Sequence, residues 1–108
     1  MKEKFGFPAQ NVNVPEYKNE LCQNYPNPFN PETTIRYSLQ NDCNVKIEIF
    51  NIKGQLVSTL VDGHQNQGFH TVVWDGTNDN QKEMTSGIFF YRINTDDFSE
   101  VKKMLLMR

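Results

Sequence analysis

An all-β domain, arranged as an antiparallel sandwich or barrel, is what this 108-residue sequence predicts, and three observations carry the prediction. All five prolines fall at or before Pro31, and proline removes a ladder donor while holding the residue before it extended. From Thr33 onward apolar residues recur at every second position, which places them on one face of a strand. Turn formers punctuate the chain about every eight to twelve residues, and no helical period persists anywhere.

In chain order, residues 1–19 carry few aliphatics and many Asn, Lys and Glu, the composition of a linker or loosely attached arm, so the domain proper is expected over 20–108. Asn24-Tyr25-Pro26-Asn27-Pro28-Phe29-Asn30-Pro31 reads as a stiff strap across the end of the sandwich, anchored by Tyr25 and Phe29. Ile35, Tyr37 and Leu39 alternate with Thr34, Arg36 and Ser38 in one half-buried strand, and Val45, Ile47 and Ile49 alternate with Lys46 and Glu48 in the next. Asn51-Ile52-Lys53-Gly54 supplies a hairpin turn with glycine at the left-handed position, and Gln55 to Val61 returns as the partner strand. Asp62 to Gly68 is expected as a polar loop. Phe69, Thr71, Val73 and the single tryptophan, Trp74, lie on a further strand ended by Asp75-Gly76. After the long polar turn Thr77 to Glu83, Gly87 to Thr95 and Phe98 to Met107 form two more strands around Asp96-Asp97. The expected core packs Trp74 between the sheets with Ile35, Tyr37, Ile47, Ile49, Leu56, Leu60, Ile88 and Phe90.

Composition excludes several function classes. Thirteen acidic against eleven basic residues give a net charge of -2, far from the basic excess that phosphate neutralisation needs, so no nucleic-acid partner is expected. No apolar run approaches the ~20 residues of a membrane-spanning helix, so no membrane insertion is expected. Met1-Lys2-Glu3-Lys4 leads into Phe5-Gly6-Phe7-Pro8 without the apolar region of a signal peptide, so a role outside the cell implies a longer precursor with its export signal upstream.

The chemistry-bearing residues are sparse. Cys22 and Cys43 admit two readings: a disulfide, worth about 3 kcal/mol on the chain-entropy estimate, or two small buried thiols. His64 and His70 lack the paired cysteines of a zinc site, and a loop histidine and a strand histidine beside the core account for them. Asp75, Thr77 and Asp79 mimic the start of an EF-hand loop, but Asn80 stands where glycine belongs and Ser86 where glutamate belongs. No nucleophile elbow or phosphate-cradling glycine loop is present, so neither a catalytic residue, a metal nor a cofactor is expected and the chain reads as a non-enzyme. Ile88-Phe89-Phe90-Tyr91 alternate faces on a strand, so at most half could share one stacking surface. Lys102-Lys103-Met104-Leu105-Leu106-Met107-Arg108 reads as an uncapped closing edge strand bracketed by cations.

Taken together, Leu21-Cys22-Gln23-Asn24-Tyr25-Pro26-Asn27-Pro28-Phe29-Asn30-Pro31, Asn51-Ile52-Lys53-Gly54-Gln55, Gly68-Phe69-His70, Trp74-Asp75-Gly76, Ser86-Gly87-Ile88-Phe89-Phe90-Tyr91 and Lys103-Met104-Leu105-Leu106-Met107-Arg108 fall in the order seen in one family. Over Leu21 to Arg108 the chain resembles the type A C-terminal sorting domain of the type IX secretion system, which is similar to the immunoglobulin-like domain of the flagellar hook-cap protein. The resemblance implies an immunoglobulin-like antiparallel β-sandwich of about seven strands, without catalysis, that ends a larger secreted or cell-surface protein. It implies three partners: the type IX translocation machinery, a sorting protease that cuts the domain off, and the upstream catalytic or binding domains of the parent. The sorting signal would map onto Gly87, Ile88, Phe90, Tyr91, Lys103, Met104, Leu105, Leu106, Met107 and Arg108, and the secreted setting would favour the Cys22–Cys43 bridge. Two turns depart from the family pattern. Gln81 stands where relatives place glycine, and Asp96-Asp97 stands where a glycine-containing pair is usual, so each needs a positive φ or a different turn. The alternative reading is an immunoglobulin-like spacer or carbohydrate- or protein-binding module attached to a secreted enzyme.

Overall fold

Alternation along each strand produces the layers. The computed structural model describes residues 16–108; residues 1–15, most of the expected N-terminal arm, lie outside the described residues. Seven strands form two antiparallel sheets: β1 (Glu20–Leu21), β2 (Thr33–Leu39), β3 (Cys43–Asn51), β4 (Leu56–Gln65), β5 (Gly68–Trp74), β6 (Gly87–Asn94) and β7 (Ser99–Leu106). One sheet has the order β1-β2-β5 and the other β4-β3-β6-β7, the sandwich arrangement of an immunoglobulin-like fold. The core between them gathers Ile35, Tyr37 and Leu39 from β2, Val45, Ile47 and Ile49 from β3, Phe89, Tyr91 and Ile93 from β6, and Met104 and Leu106 from β7. Trp74 is buried among them, its ring centroid 5.1 Å from Phe89 and 5.6 Å from Phe29, with its indole N–H donating to the Thr77 carbonyl at 2.8 Å.

Three expected core residues lie elsewhere. On β6 the inward set is Phe89, Tyr91 and Ile93, while Ile88 is exposed and Phe90 half-buried. The physical reason is parity: Ile88 and Phe90 share a face with Arg92 and Asn94, whereas Phe89 and Tyr91 share one with Ile93. Leu56 is 51% exposed. Here the cause is two bulges, because Val57 and Leu60 are extra residues on β4 against the regular ladder of β3, and each bulge shifts the face that follows it. Val57 is buried and Leu60 packs half-buried against the core.

The expected polar loop 62–68 is mostly strand, since β4 continues to Gln65 opposite Cys43 and only Asn66-Gln67 turn the chain into β5. Tyr37 donates its hydroxyl to Gln65 across the sheets. Gly54 takes the left-handed conformation of the hairpin turn at φ 81°. Gln81 does so at φ 66°, while the Asp96-Asp97 turn closes without positive φ, through the Thr95 N–H donating to the Phe98 carbonyl at 2.8 Å.

Candidate functional site

The residues marked by the family resemblance divide by strand parity. β6 and β7 pair antiparallel with Ile88 opposite Leu105, Phe89 opposite Met104, Phe90 opposite Lys103 and Tyr91 opposite Lys102. Tyr91, Met104 and Leu106 point into the core and are essentially inaccessible. Ile88, Phe90, Lys103 and Leu105 share the outer face, so two stretches distant in sequence meet there as neighbouring pairs. The patch extends across the sheet, because Phe90 lies opposite Phe50 on β3 and Phe50 opposite Leu56 on β4. Arg92 closes one side, its guanidinium 4.9 Å from the Phe50 ring centroid and 2.9 Å from the Glu48 carboxylate. Among the described residues Lys103 has no acidic partner, whereas Lys102 sits 3.4 Å from Glu100.

The strap takes a different course from the one expected. Phe29 is its buried anchor, whereas the Tyr25 side chain is 80% exposed and only its backbone is fastened, through a two-bond bridge to Thr34. The strap bridges the two sheets: Cys22 and Tyr25 bond β2, while Gln23, Asn27 and Phe29 meet the free edge of β7, so the closing strand is at a sheet edge but is not uncapped. The Phe29 N–H donates to the Leu105 carbonyl at 3.0 Å and the Met107 N–H donates to the Phe29 carbonyl at 2.9 Å. The Leu105 N–H donates to the Asn27 side-chain oxygen at 3.0 Å, and the Gln23 amide donates to the Lys103 carbonyl at 2.9 Å. Together these bonds saturate the outward backbone groups from the Lys103 carbonyl to the Met107 N–H.

Asn24 and Tyr91 hold the strap in place. The Tyr91 hydroxyl accepts from the Asn24 N–H at 2.8 Å and donates to the Cys22 carbonyl at 2.7 Å. The buried Asn24 side chain donates to the Thr33 hydroxyl at 2.9 Å and accepts from Gln23 at 2.6 Å. Burial pushes the Tyr91 phenol up to about 12, since desolvation disfavours the phenolate. Sequence reasoning singled out the strap but assigned no role to Gln23, Asn24 and Asn27, whose only advance signal is a run of amides among prolines.

Arg108 is docked rather than free. Its backbone N–H donates to the Ser86 hydroxyl at 2.8 Å, and its guanidinium donates to the Met84 carbonyl at 2.6 Å and the Gly76 carbonyl at 3.0 Å. Gly76 makes room for it at φ 80°, where a Cβ would meet the Arg108 guanidinium at 2.7 Å and the Pro31 carbonyl at 3.2 Å. Gly87 opens β6 and Met107 is exposed.

The remaining candidates do not converge with this site. Cys22 and Cys43 are free thiols, the first following β1 at one sheet and the second opening β3 in the other, so the disulfide is not formed in this structure. Desolvation, then the nearby Asp96, Asp97 and Asp42, push the Cys43 thiol up, the opposite of what a reactive thiolate needs. His64 is exposed on β4, while His70 stacks on Tyr37 at 5.3 Å and its ring nitrogen lies 2.6 Å from the Asn66 carbonyl. Among the described residues no group of three or more His, Cys, Asp or Glu is gathered as metal ligands. Asp75 accepts from the Thr77 N–H at 3.0 Å, and Asp79 caps the free edge of β4 through the Thr59 N–H at 3.1 Å, so both carboxylates are engaged in turn structure.

Two sheets in this order with a tryptophan between them define an immunoglobulin-like β-sandwich domain. A family model for the FlgD Ig-like domain matches residues 30–97, and the chain belongs to that family, whose Ig-like domain is a non-catalytic structural module. No curated protein matches by sequence. Among solved structures, dimeric latent PorU from Porphyromonas gingivalis is similar at TM-score 0.67 and 21% identity, covering 88% of this chain and 10% of PorU. PorZ, described as an essential bacterial surface component of the type IX secretion system of Porphyromonas gingivalis, is similar at TM-score 0.57 and 18% identity, covering 83% of this chain and 11% of PorZ. FlgD from P. aeruginosa is similar at TM-score 0.55 and 21% identity, covering 68% of this chain and 58% of FlgD. The chain thus spans only about a tenth of the length of PorU and PorZ, and at these identities the likeness is one of fold.

Proposed function

We propose that this domain is a non-catalytic type IX sorting and targeting module of a larger secreted or cell-surface protein. The observation that carries the reading is the meeting of Ile88 with Leu105 and of Phe90 with Lys103 on one outer face. Resemblance alone marked those residues, and a recognition signal split between two sequence stretches needs them adjacent in space. The likeness of fold to a type IX surface component lends support. On this reading the partners are the type IX translocation machinery, a sorting protease and the upstream domains of the parent, and the site of action is the outer-membrane cell surface or beyond. Among the described residues no helix is long and apolar enough to cross a membrane.

The test fuses residues 20–108 to a fluorescent cargo with a periplasmic signal in a type IX host. Cargo carrying the intact domain is expected at the surface or in the medium, and cargo whose domain lacks Lys103–Arg108 is expected to stay in the periplasm. Equal export of the two would overturn the reading.

A further inference from the structure

We propose that the folded domain is recognised through the outer side-chain face of β6 and β7, and not by addition of a partner strand to the edge of β7. The inference rests on the sorting reading above and specifies how the signal is met. Strand addition needs a row of unpaired backbone donors and acceptors along an edge. Along the C-terminal half of β7, where the marked residues lie, that row is taken by the chain itself: the Lys103 carbonyl by Gln23, the Leu105 N–H by Asn27, and the Leu105 carbonyl and Met107 N–H by Phe29. The strap is held down by the buried Asn24, whose backbone and side chain bond Tyr91 and Thr33. A competing strand would therefore have to break all of these bonds before forming its own.

The side-chain face carries no such cover among the described residues. Ile88 and Leu105 form one cross-strand pair and Phe90 and Lys103 the next, with Phe50 and Leu56 continuing the apolar surface. Leu56 on β4 is 51% and Ile88 on β6 37% exposed, and the half-buried Phe50 of β3 and Phe90 of β6 lie in the same outer surface, making it a continuous apolar strip across the sheet. Arg92 is already neutralised by Glu48, whereas Lys103, at the middle of the β7 border, has no described acidic partner. The matching partner is a protein surface with an apolar cleft for Phe90 and Leu105 and a carboxylate for Lys103. Charge complementarity at such a cleft fixes register, and the buried aromatic supplies most of the binding energy.

The experiment uses the same exported cargo with two variants, each checked for native far-UV circular dichroism and urea midpoint. Phe90→Ser with Leu105→Thr removes the face and leaves the strap bonds intact. Gln23→Ala with Asn27→Ala frees the Lys103 carbonyl and the Leu105 N–H on the β7 edge and leaves the face intact. The face variant is expected to lower export about tenfold and the edge variant to leave it within about twofold, as for loss of a central anchor against loss of a peripheral contact. Export of the face variant at parental level, or increased export of the edge variant, would overturn the inference. Should Phe90→Ser with Leu105→Thr unfold, Lys103→Glu reads the same face: a loss of export supports the inference and parental export overturns it. The two readings fail differently, because equal export of the Lys103–Arg108 truncation sinks the sorting function itself. Truncation-sensitive export with an indifferent face sinks only this mode of recognition.

Discussion

Replacing Tyr91 by phenylalanine should uncouple the strap from the sandwich with little change in packing, since only a hydroxyl is lost from a fully buried ring. That hydroxyl satisfies two backbone groups, the Asn24 N–H at 2.8 Å and the Cys22 carbonyl at 2.7 Å. A buried group left without a partner costs about 1–3 kcal/mol; Asn24 is deeply buried and Cys22 half-buried, so the sum should be about 2–3 kcal/mol. Equilibrium urea unfolding measures it as a lowered midpoint at unchanged slope. A second signature comes from pH. The Tyr91 phenol is pushed up to about 12 in the folded state by burial, against an ordinary value near 10 in the unfolded chain. A raised acid contributes stability that is complete below about pH 10 and is lost as pH climbs toward 12, amounting to roughly 2–3 kcal/mol over that window. The parent should therefore lose more stability between pH 10 and 12 than Tyr91→Phe, which has no phenol at this position. A destabilisation under about 0.5 kcal/mol, or identical alkaline losses in both proteins, would refute the role of Tyr91 in fastening the strap.

Three further substitutions probe the frame. Trp74→Ala removes a ring that is 1% exposed between Phe29 and Phe89 and should destabilise by about 3–5 kcal/mol, read from the urea midpoint. Gly76→Ala forces a Cβ to 2.7 Å from the Arg108 guanidinium at φ 80°; it should cost about 1–2 kcal/mol in backbone strain alone, and a truncated variant ending at Met107 should feel less of the penalty. Gln81→Gly relieves a non-glycine residue held at φ 66° and should raise stability by about 0.5–1 kcal/mol, with a lower midpoint counting against the assigned turn.

Most of the sandwich was legible because alternation is a local signal. Ile35, Tyr37, Ile47, Ile49 and Trp74 face inward as their spacing requires. It failed where apolar residues occupy both parities, as in Ile88-Phe89-Phe90-Tyr91. There Arg92, Asn94 and Ile93 at the far end of β6 held the answer, because a strand keeps one parity along its length. The face of β4 was illegible for another reason: a bulge is set by the partner strand and turns the following residues over without any local mark in sequence. The candidate site was legible as a set of residues through resemblance, but not as a surface, since which members face outward depends on that same parity. Gln23, Asn24 and Asn27 stood in the motif without an assigned role, because their partners lie on β6 and β7, far away along the chain.

The inward and outward members of the marked set do different physical work, which on the proposed sorting function lets folding be separated from recognition. Tyr91, Met104 and Leu106 are core, and Tyr91 also fastens the strap; their loss should lower stability before it affects any contact with a partner. Ile88, Phe90, Lys103 and Leu105 contribute less to the core, so their replacement can change recognition in a domain that still folds. Deleting Lys103–Arg108 removes members of both groups at once, along with the Met107 and Arg108 bonds to Phe29, Ser86, Met84 and Gly76. An export defect after that deletion therefore has two physical sources, whereas an export defect in a folded Phe90→Ser, Leu105→Thr protein has one.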